Sequence, residues 1–214
     1  MRTLTAATAA FTLAFTASAA AQTTGVDRAT FFASSSDTQL TLIDFDDIAA
    51  DTVLDGSVLD GVTITSTGGA IVVTDNFLTS TGANGIGALD EEFFLETETV
   101  TFTFDEAITA FAIDFNTFAE DDGAYQASIN GGDVVLSLFE VFDGQATGQF
   151  IGFTSDTAFT SITISALAGF AYSLDTLFFG AADAVDVDPV PLPAAAWLFG
   201  TVLAGGVAAR RRRA

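Results

Sequence analysis

Val100-Thr-Phe-Thr-Phe104 and, six residues later, Phe111-Ala-Ile-Asp-Phe115 decide how this chain is read. In the first stretch Val100, Phe102 and Phe104 share one face of an extended strand and two threonines share the other. In the second, Phe111, Ile113 and Phe115 alternate with Ala112 and Asp114. A period of two marks strands with one buried face. Ile162 and Ile164, alternating with Ser161 and Thr163, repeat the pattern. Working outward, strands are expected at 40–45, 62–66, 70–73, 125–129, 134–139, 150–153 and 171–178, each rich in β-branched or aromatic residues and bounded by Gly, Asn or Asp. Asn130-Gly131 predicts a tight hairpin, because both central residues of the favoured turn need positive φ. No long helical period and no internal repeat interrupts the series. The expected fold is all-β, an antiparallel two-sheet sandwich of jelly-roll type. Phe102, Phe104, Phe111, Ile113, Phe115, Ile162, Ile164 and Leu174 are the expected core.

The ends carry a different message. Arg2, an apolar stretch over 4–15 and the small residues Ala19, Ala20 and Ala21 before Gln22 form a secretory signal peptide over 1–21. The last segment, 190–214, runs Val190, Pro191, Leu192, Pro193, then sixteen uncharged residues over 194–209, then Arg210, Arg211, Arg212 and Arg213. As a helix, 194–209 would reach about 24 Å. That is a short span for a hydrocarbon layer of about 30 Å. The arginines would stay in the cytoplasm and leave the body of the protein outside, with Trp197 at the outer interface. The prolines keep 190–193 extended and open to a protease.

A Pro-rich motif, an apolar helix and a terminal arginine cluster in that order resemble the C-terminal signal of exosortase-sorted bacterial surface proteins, the PEP-CTERM group. Leu192 stands where the commoner motif has Glu, which is the VPLPA variant. The resemblance implies export, a transient inner-membrane anchor, cleavage near Val190–Pro193 by an exosortase, and a final place on the surface or in the extracellular matrix of a Gram-negative bacterium. It also implies an association with exopolysaccharide and biofilm. Ile43-Asp-Phe-Asp46, Asp60-Gly-Val-Thr-Ile64, Gln149-Phe-Ile-Gly-Phe153, Phe159-Thr-Ser-Ile-Thr-Ile164 and Tyr172-Ser-Leu-Asp-Thr-Leu-Phe178 look like the opening and closing strands of jelly-roll domains in that group. Many of those domains have Asp-Asn in the final strand; here Asp175 precedes Thr176.

Removing both ends leaves 22–189, enough for one domain with a sizeable core. Residues 22–39 read as polar and irregular apart from Phe31-Phe32, 40–180 as the sandwich, and 181–189 as an acidic spacer. The body keeps all 28 acidic residues of the chain against the single Arg28. Such a balance argues against nucleic acid and anionic membranes as partners, and suits a salt-screened surface. With no cysteine and no histidine, thiol, serine–histidine and histidine–zinc chemistries cannot be built.

Carboxylates alone remain as candidate chemistry, and the expected assignment is no enzyme and no cofactor. Glu120-Asp-Asp-Gly123 beside a turn, and Asp44, Asp46 and Asp175 in the first and last strands, are each either calcium ligands or solvent-facing acids. The second reading is preferred for both groups. Asp90-Glu-Glu92 reads as a loop rather than a catalytic pair. A carboxylate-dependent glycoside hydrolase is the least favoured alternative. A glycan- or calcium-binding module is the main alternative to a structural surface protein. The aromatic content gives it little encouragement: most of the 22 phenylalanines fit core positions, and the body has two tyrosines and no tryptophan, whereas sugar-stacking faces favour aromatics with polar edges.

Overall fold

The computed structural model describes residues 22–54, 56–142 and 147–181. Signal peptide and sorting signal, including Val190–Pro193, 194–209 and Arg210–Arg213, lie outside the described residues. Among those described, no helix is long and apolar enough to cross a membrane.

The elements are β1 (Gln22–Thr24), α1 (Arg28–Ser34), β2 (Thr41–Ile43), β3 (Val58–Leu59), β4 (Val62–Ser66), β5 (Ile71–Thr74), β6 (Gly85–Ala88), β7 (Thr99–Asn116), β8 (Tyr125–Ile129), β9 (Val134–Leu136), β10 (Leu138–Val141), β11 (Thr147–Ala166) and β12 (Ser173–Gly180). The alternating stretches Val100–Phe104 and Phe111–Phe115 are one strand. β7 runs 18 residues and pairs antiparallel along nearly its whole length with the 20 residues of β11. A straight strand would put Phe102 and Phe111 about 30 Å apart. Their ring centroids lie 5.8 Å apart. The β7–β11 ribbon therefore folds over on itself, and the register slips between Thr154 and Ser161 mark the fold line.

Each half of the ribbon organises one layer. The first runs β3, β4, β7 (99–104), β11 (161–165), β8, β9, β1. The second runs β10, β11 (148–154), β7 (110–116), β12, with β2 and β6 side by side along the far edge of β12 and β5 beyond β6. Expected and observed strands coincide at 62–66 and 125–129 and nearly so at 71–74. The Asn130-Gly131 turn has φ of 47° and 71°, and it joins β8 to β9 as expected.

The eight expected core residues are all buried, between 0% and 4% exposed. They belong to one cluster between the layers, in which Phe104 packs on Phe111 and Phe179, and Phe115 stacks on Tyr125 at 4.7 Å.

Several expectations are corrected. The stretch expected as one strand over 134–139 breaks at Ser137, where the chain passes from the first layer to the second. Ser137 is fully buried and takes both turn-side roles, donating to Gln149 Oε1 at 2.9 Å and accepting from Tyr125 N at 3.0 Å. One edge pair, β1 with β9, is parallel. Residues 22–39 are not irregular: they contain β1 and α1. Asp27 caps α1 by accepting from Thr30 N at 2.9 Å. A helix this short needs tertiary support, and Phe31 supplies it by packing on Phe150, Ala110 and Ala112 across the outer face of the second layer. Gly152 permits that approach, since a Cβ there would sit 2.5 Å from the Phe150 ring and 3.1 Å from Phe31 Cβ.

Candidate functional site

The outer face of the second layer is built in rows that the strand register dictates. Cross-strand partners place Gly152, Ala112 and Phe178 in one row, Phe150, Asp114 and Asp175 in the next, and Gly148, Asn116 and Ser173 in the third. Alternation sends Phe111, Ile113 and Phe115 inward, so Ala112, Asp114 and Asn116 must point outward. The alternation predicts one buried face, and for Asp175 on the other face a solvent-facing position is expected. That other face is covered instead, and differently for each row.

Over the first row lies α1, with Phe32 edge-on to Phe178 at 5.0 Å. The second row is sealed. Arg28 lies over the Phe150 ring at 4.6 Å, forks onto Glu140 at 2.8 and 3.0 Å, and donates to Asp114 Oδ1 at 2.5 Å. Asp114 is 1% exposed and its Oδ2 has no partner. Burial pushes its carboxyl up to about 7 against the pull of Arg28, and Asp175 across the strand pushes the same way.

Asp175 is fully buried, which corrects its assignment as a solvent-facing acid. Its carboxylate accepts from Ser80 Oγ at 2.8 Å, Thr81 N at 2.9 Å and Thr176 N at 2.7 Å. Burial raises its pKa and those donors lower it. Asp46 accepts from Ala83 N at 2.7 Å and Asn84 N at 2.9 Å. The two acids thus hold segment 80–84 from both sides, rather than converging on a cation with Asp44, which accepts from Asp46 N at 3.3 Å. Asp122, of the 120–123 turn, accepts from Phe139 N at 2.7 Å. Glu92 lies in a loop and accepts from Thr74 Oγ1 and Asn76 Nδ2, which lowers its pKa. Among the described residues, no group of three or more acids is placed to hold a metal.

The third row is open. It ends in a cleft of about 320 Å³ lined by Phe77, Leu78, Phe93, Asn116, Thr117, Phe118, Thr147 and 170–173. This size is at the lower end of small-molecule sites. Among the described residues no charged side chain lines it, in a body whose charge is almost wholly acidic.

Three features make the cleft more than a gap. Phe118 is 88% exposed although its neighbours Thr117 and Ala119 are buried. Thr117 is pinned by Tyr125 Oη at 2.6 Å and by Ala171 O at 3.3 Å, and Ala119 N donates back to Thr117 Oγ1 at 3.3 Å. A bare aromatic ring is therefore held out on a fastened backbone. Phe77, Leu78 and Phe170 add further exposed apolar surface, with Phe77 edge-on to Phe93 at 5.8 Å. At the end of the row Asn116 is 8% exposed; its Nδ2 donates to Ser173 Oγ at 3.4 Å and its Oδ1 has no donor.

None of these residues is singled out by the sequence. Phenylalanine is common throughout, and its exposed members are hidden among core ones. The usable signal is local: Phe118 follows the last alternating position of β7, on the way into an acidic turn. Both tyrosines, by contrast, belong to the core, at 0% and 1% exposed.

No protein-family model matches this chain, and no curated protein is significantly similar to it. Among solved structures, it is similar to the catalytic unit of a GH87 alpha-1,3-glucanase from Streptomyces thermodiastaticus strain HF3-3, at 14% identity and a TM-score of 0.40, over 71% of this chain and 28% of that one. It is similar to a mutant family 29 carbohydrate-binding module at 12% identity and a TM-score of 0.35, over 69% of this chain and 96% of that one. It is also similar to a GH26-CBM35 beta-(1,4)-mannanase from Podospora anserina, at 16% identity and a TM-score of 0.33, over 66% of this chain and 27% of that one. The chain thus spans little more than a quarter of either enzyme's length. Likeness this distant carries neither ligand nor reaction across.

Proposed function

We propose that this chain is an exported surface or matrix protein whose jelly-roll-like sandwich holds an uncharged glycan in the Phe118 cleft and does no covalent chemistry. Export, signal-peptide removal and exosortase cleavage near Val190–Pro193 follow from the two ends of the sequence. The ligand class rests on one observation: a cleft whose described lining carries no charged side chain, rimmed by exposed phenylalanines, with an incompletely paired amide at its floor. Pyranose rings present C–H faces to aromatic rings and hydroxyls to polar side chains, so both kinds of lining are used. Acidic polysaccharides would meet a strongly acidic body with one arginine, already engaged by two carboxylates.

The non-enzymatic reading is supported by where the acids lie. Asp114 and Asp175 are the one pair that the register brings together on this face, and both are sealed beneath Arg28 and segment 80–84. Among the described residues no carboxylate lines the cleft to act as general acid or base. Calorimetry of the exported protein against neutral and acidic oligosaccharides tests the ligand class: saturable binding of neutral chains, lost in Phe118→Ala, is expected, and tight binding of uronic-acid chains would overturn it. Intact mass of the surface protein tests processing. Residues 194–214 still attached, in a host with an active exosortase, would reduce the tail to a plain anchor.

A further inference from the structure

Resting on that glycan reading, we propose that the cleft selects acetamido-bearing sugars, with Asn116 as the specificity-determining residue. The argument begins with what Asn116 lacks. An amide has two donors and two acceptor sites. This one is nine-tenths buried, yet it makes a single long bond, to Ser173 Oγ at 3.4 Å, and its carbonyl oxygen receives nothing. Leaving a buried acceptor unmatched is costly, and native structures seldom do so without a reason. A side chain held by one long bond also turns at little cost to meet a ligand.

The surroundings narrow what that ligand brings. The walls are Phe77, Phe93, Phe118 and Phe170, with Leu78. The polar atoms come from Asn116, Ser173, Thr117 and Thr147, and Thr117 Oγ1 is already committed to Tyr125 and Ala171. An acetamido group matches both halves. Its N–H donates to Asn116 Oδ1, its C=O, which points away from that N–H in a trans amide, is left to water, and its methyl, on the N–H side, rests on the phenylalanines. A ring hydroxyl in the same place supplies a donor but no methyl. A free ammonium meets no carboxylate among the described lining residues, and a uronate carries the wrong charge for this body. Phenylalanine, without a polar edge, suits a methyl contact better than it suits hydrogen-bonded stacking. This also explains how a body without tryptophan, and with both tyrosines in its core, can read a sugar.

The test uses the exported protein and matched probes. Oligomers of N-acetylglucosamine and N-acetylgalactosamine are compared by calorimetry with the glucose and galactose oligomers of the same linkage, and with the de-acetylated amine forms. The acetylated member of at least one set is expected to bind roughly tenfold tighter than both of its counterparts, the worth of one recovered hydrogen bond to a buried group. Asn116→Leu should erase that preference and leave the melting temperature unchanged or raised. Phe118→Ala should weaken all members together. Equal affinity for acetylated and non-acetylated chains, or a preference that survives Asn116→Leu, would overturn the inference and leave the glycan reading intact. Failure of every neutral oligosaccharide to bind would overturn both.

Discussion

Two neighbouring rows on the same sheet face have been treated in opposite ways. At Asp114 the polar side chain accepts a hydrogen bond from the Arg28 guanidinium at the start of α1 and is closed off from water. At Asn116, two residues along the same strand, the polar side chain borders an open cleft beneath bare aromatic rings. Both keep an unmatched oxygen. In the closed row, the unmatched atom is part of a charge cluster that ties α1, β7 and β10 together. In the open row nothing in the described protein uses it. The difference teaches that burial of polar groups on this face has two purposes, and that only one of them concerns the protein's own cohesion.

The contrast can be attacked first from beneath. Phe115 points inward between the two rows and touches Tyr125 and Tyr172. Phe115→Ala should cost roughly 3–5 kcal/mol in denaturant unfolding and weaken both rows alike. A loss below about 1 kcal/mol would mean that the inner layer is not the common support.

The closed row should reveal itself by pH. The Asp114 carboxyl is raised from its usual 3.8 to about 7. The folded state thus binds a proton that the unfolded chain releases, and the stability from this group is full below pH 4. It falls as pH rises from 4 to 7, and Asp175, also raised, acts in the same direction. The expected loss across that window is about 3 kcal/mol, and Asp114→Asn should flatten it. Melting curves at pH 5 and pH 8 measure this; a protein less stable at pH 5 would reverse the sign.

Arg28→Ala removes the guanidinium that joins Asp114 to Glu140 and lies over Phe150. Roughly 2–3 kcal/mol should be lost, less than for a fully desolvated pair because Arg28 is 28% exposed and Asp114 can take up a proton. Hydrogen exchange should show α1 loosened while the amides of 117–119 keep their protection.

The open row should give the smallest change in stability. Phe118 is 88% exposed, so Phe118→Ala should shift unfolding by less than about 0.5 kcal/mol. Its effect should appear in ligand affinity alone. Destabilisation equal to that of Arg28→Ala would make Phe118 a structural residue and remove the contrast.

Much of the inner layer was legible because strand periodicity and burial are the same fact seen twice. Val100 to Phe104 and Phe111 to Phe115 announce their faces in a single line of sequence. The joining of the two stretches into one folded strand was not legible, since 105–110 carries no alternation, and register slips with β11 arise only when the partner strand is present. α1 was missed because seven residues show no period, and its support comes from Phe150, Ala110 and Ala112, more than 75 residues away along the chain. The cleft was missed because exposure of Phe118 depends on what does not pack over it.

The sequence by itself determined the composition of the chemistry and the core: no thiol, no imidazole, one cation in the body, and alternating Phe and Ile that can only face inward. These are properties of residue types and of a two-residue repeat, both local. Only the tertiary structure decided the fate of the alternate face. Ala112, Asp114 and Asn116 follow one rule along the strand, and they part company through non-local neighbours: α1 over the first, Arg28 over the second, open space beside the third. Coverage belongs to the layer above, and a strand's own periodicity holds no information about that layer.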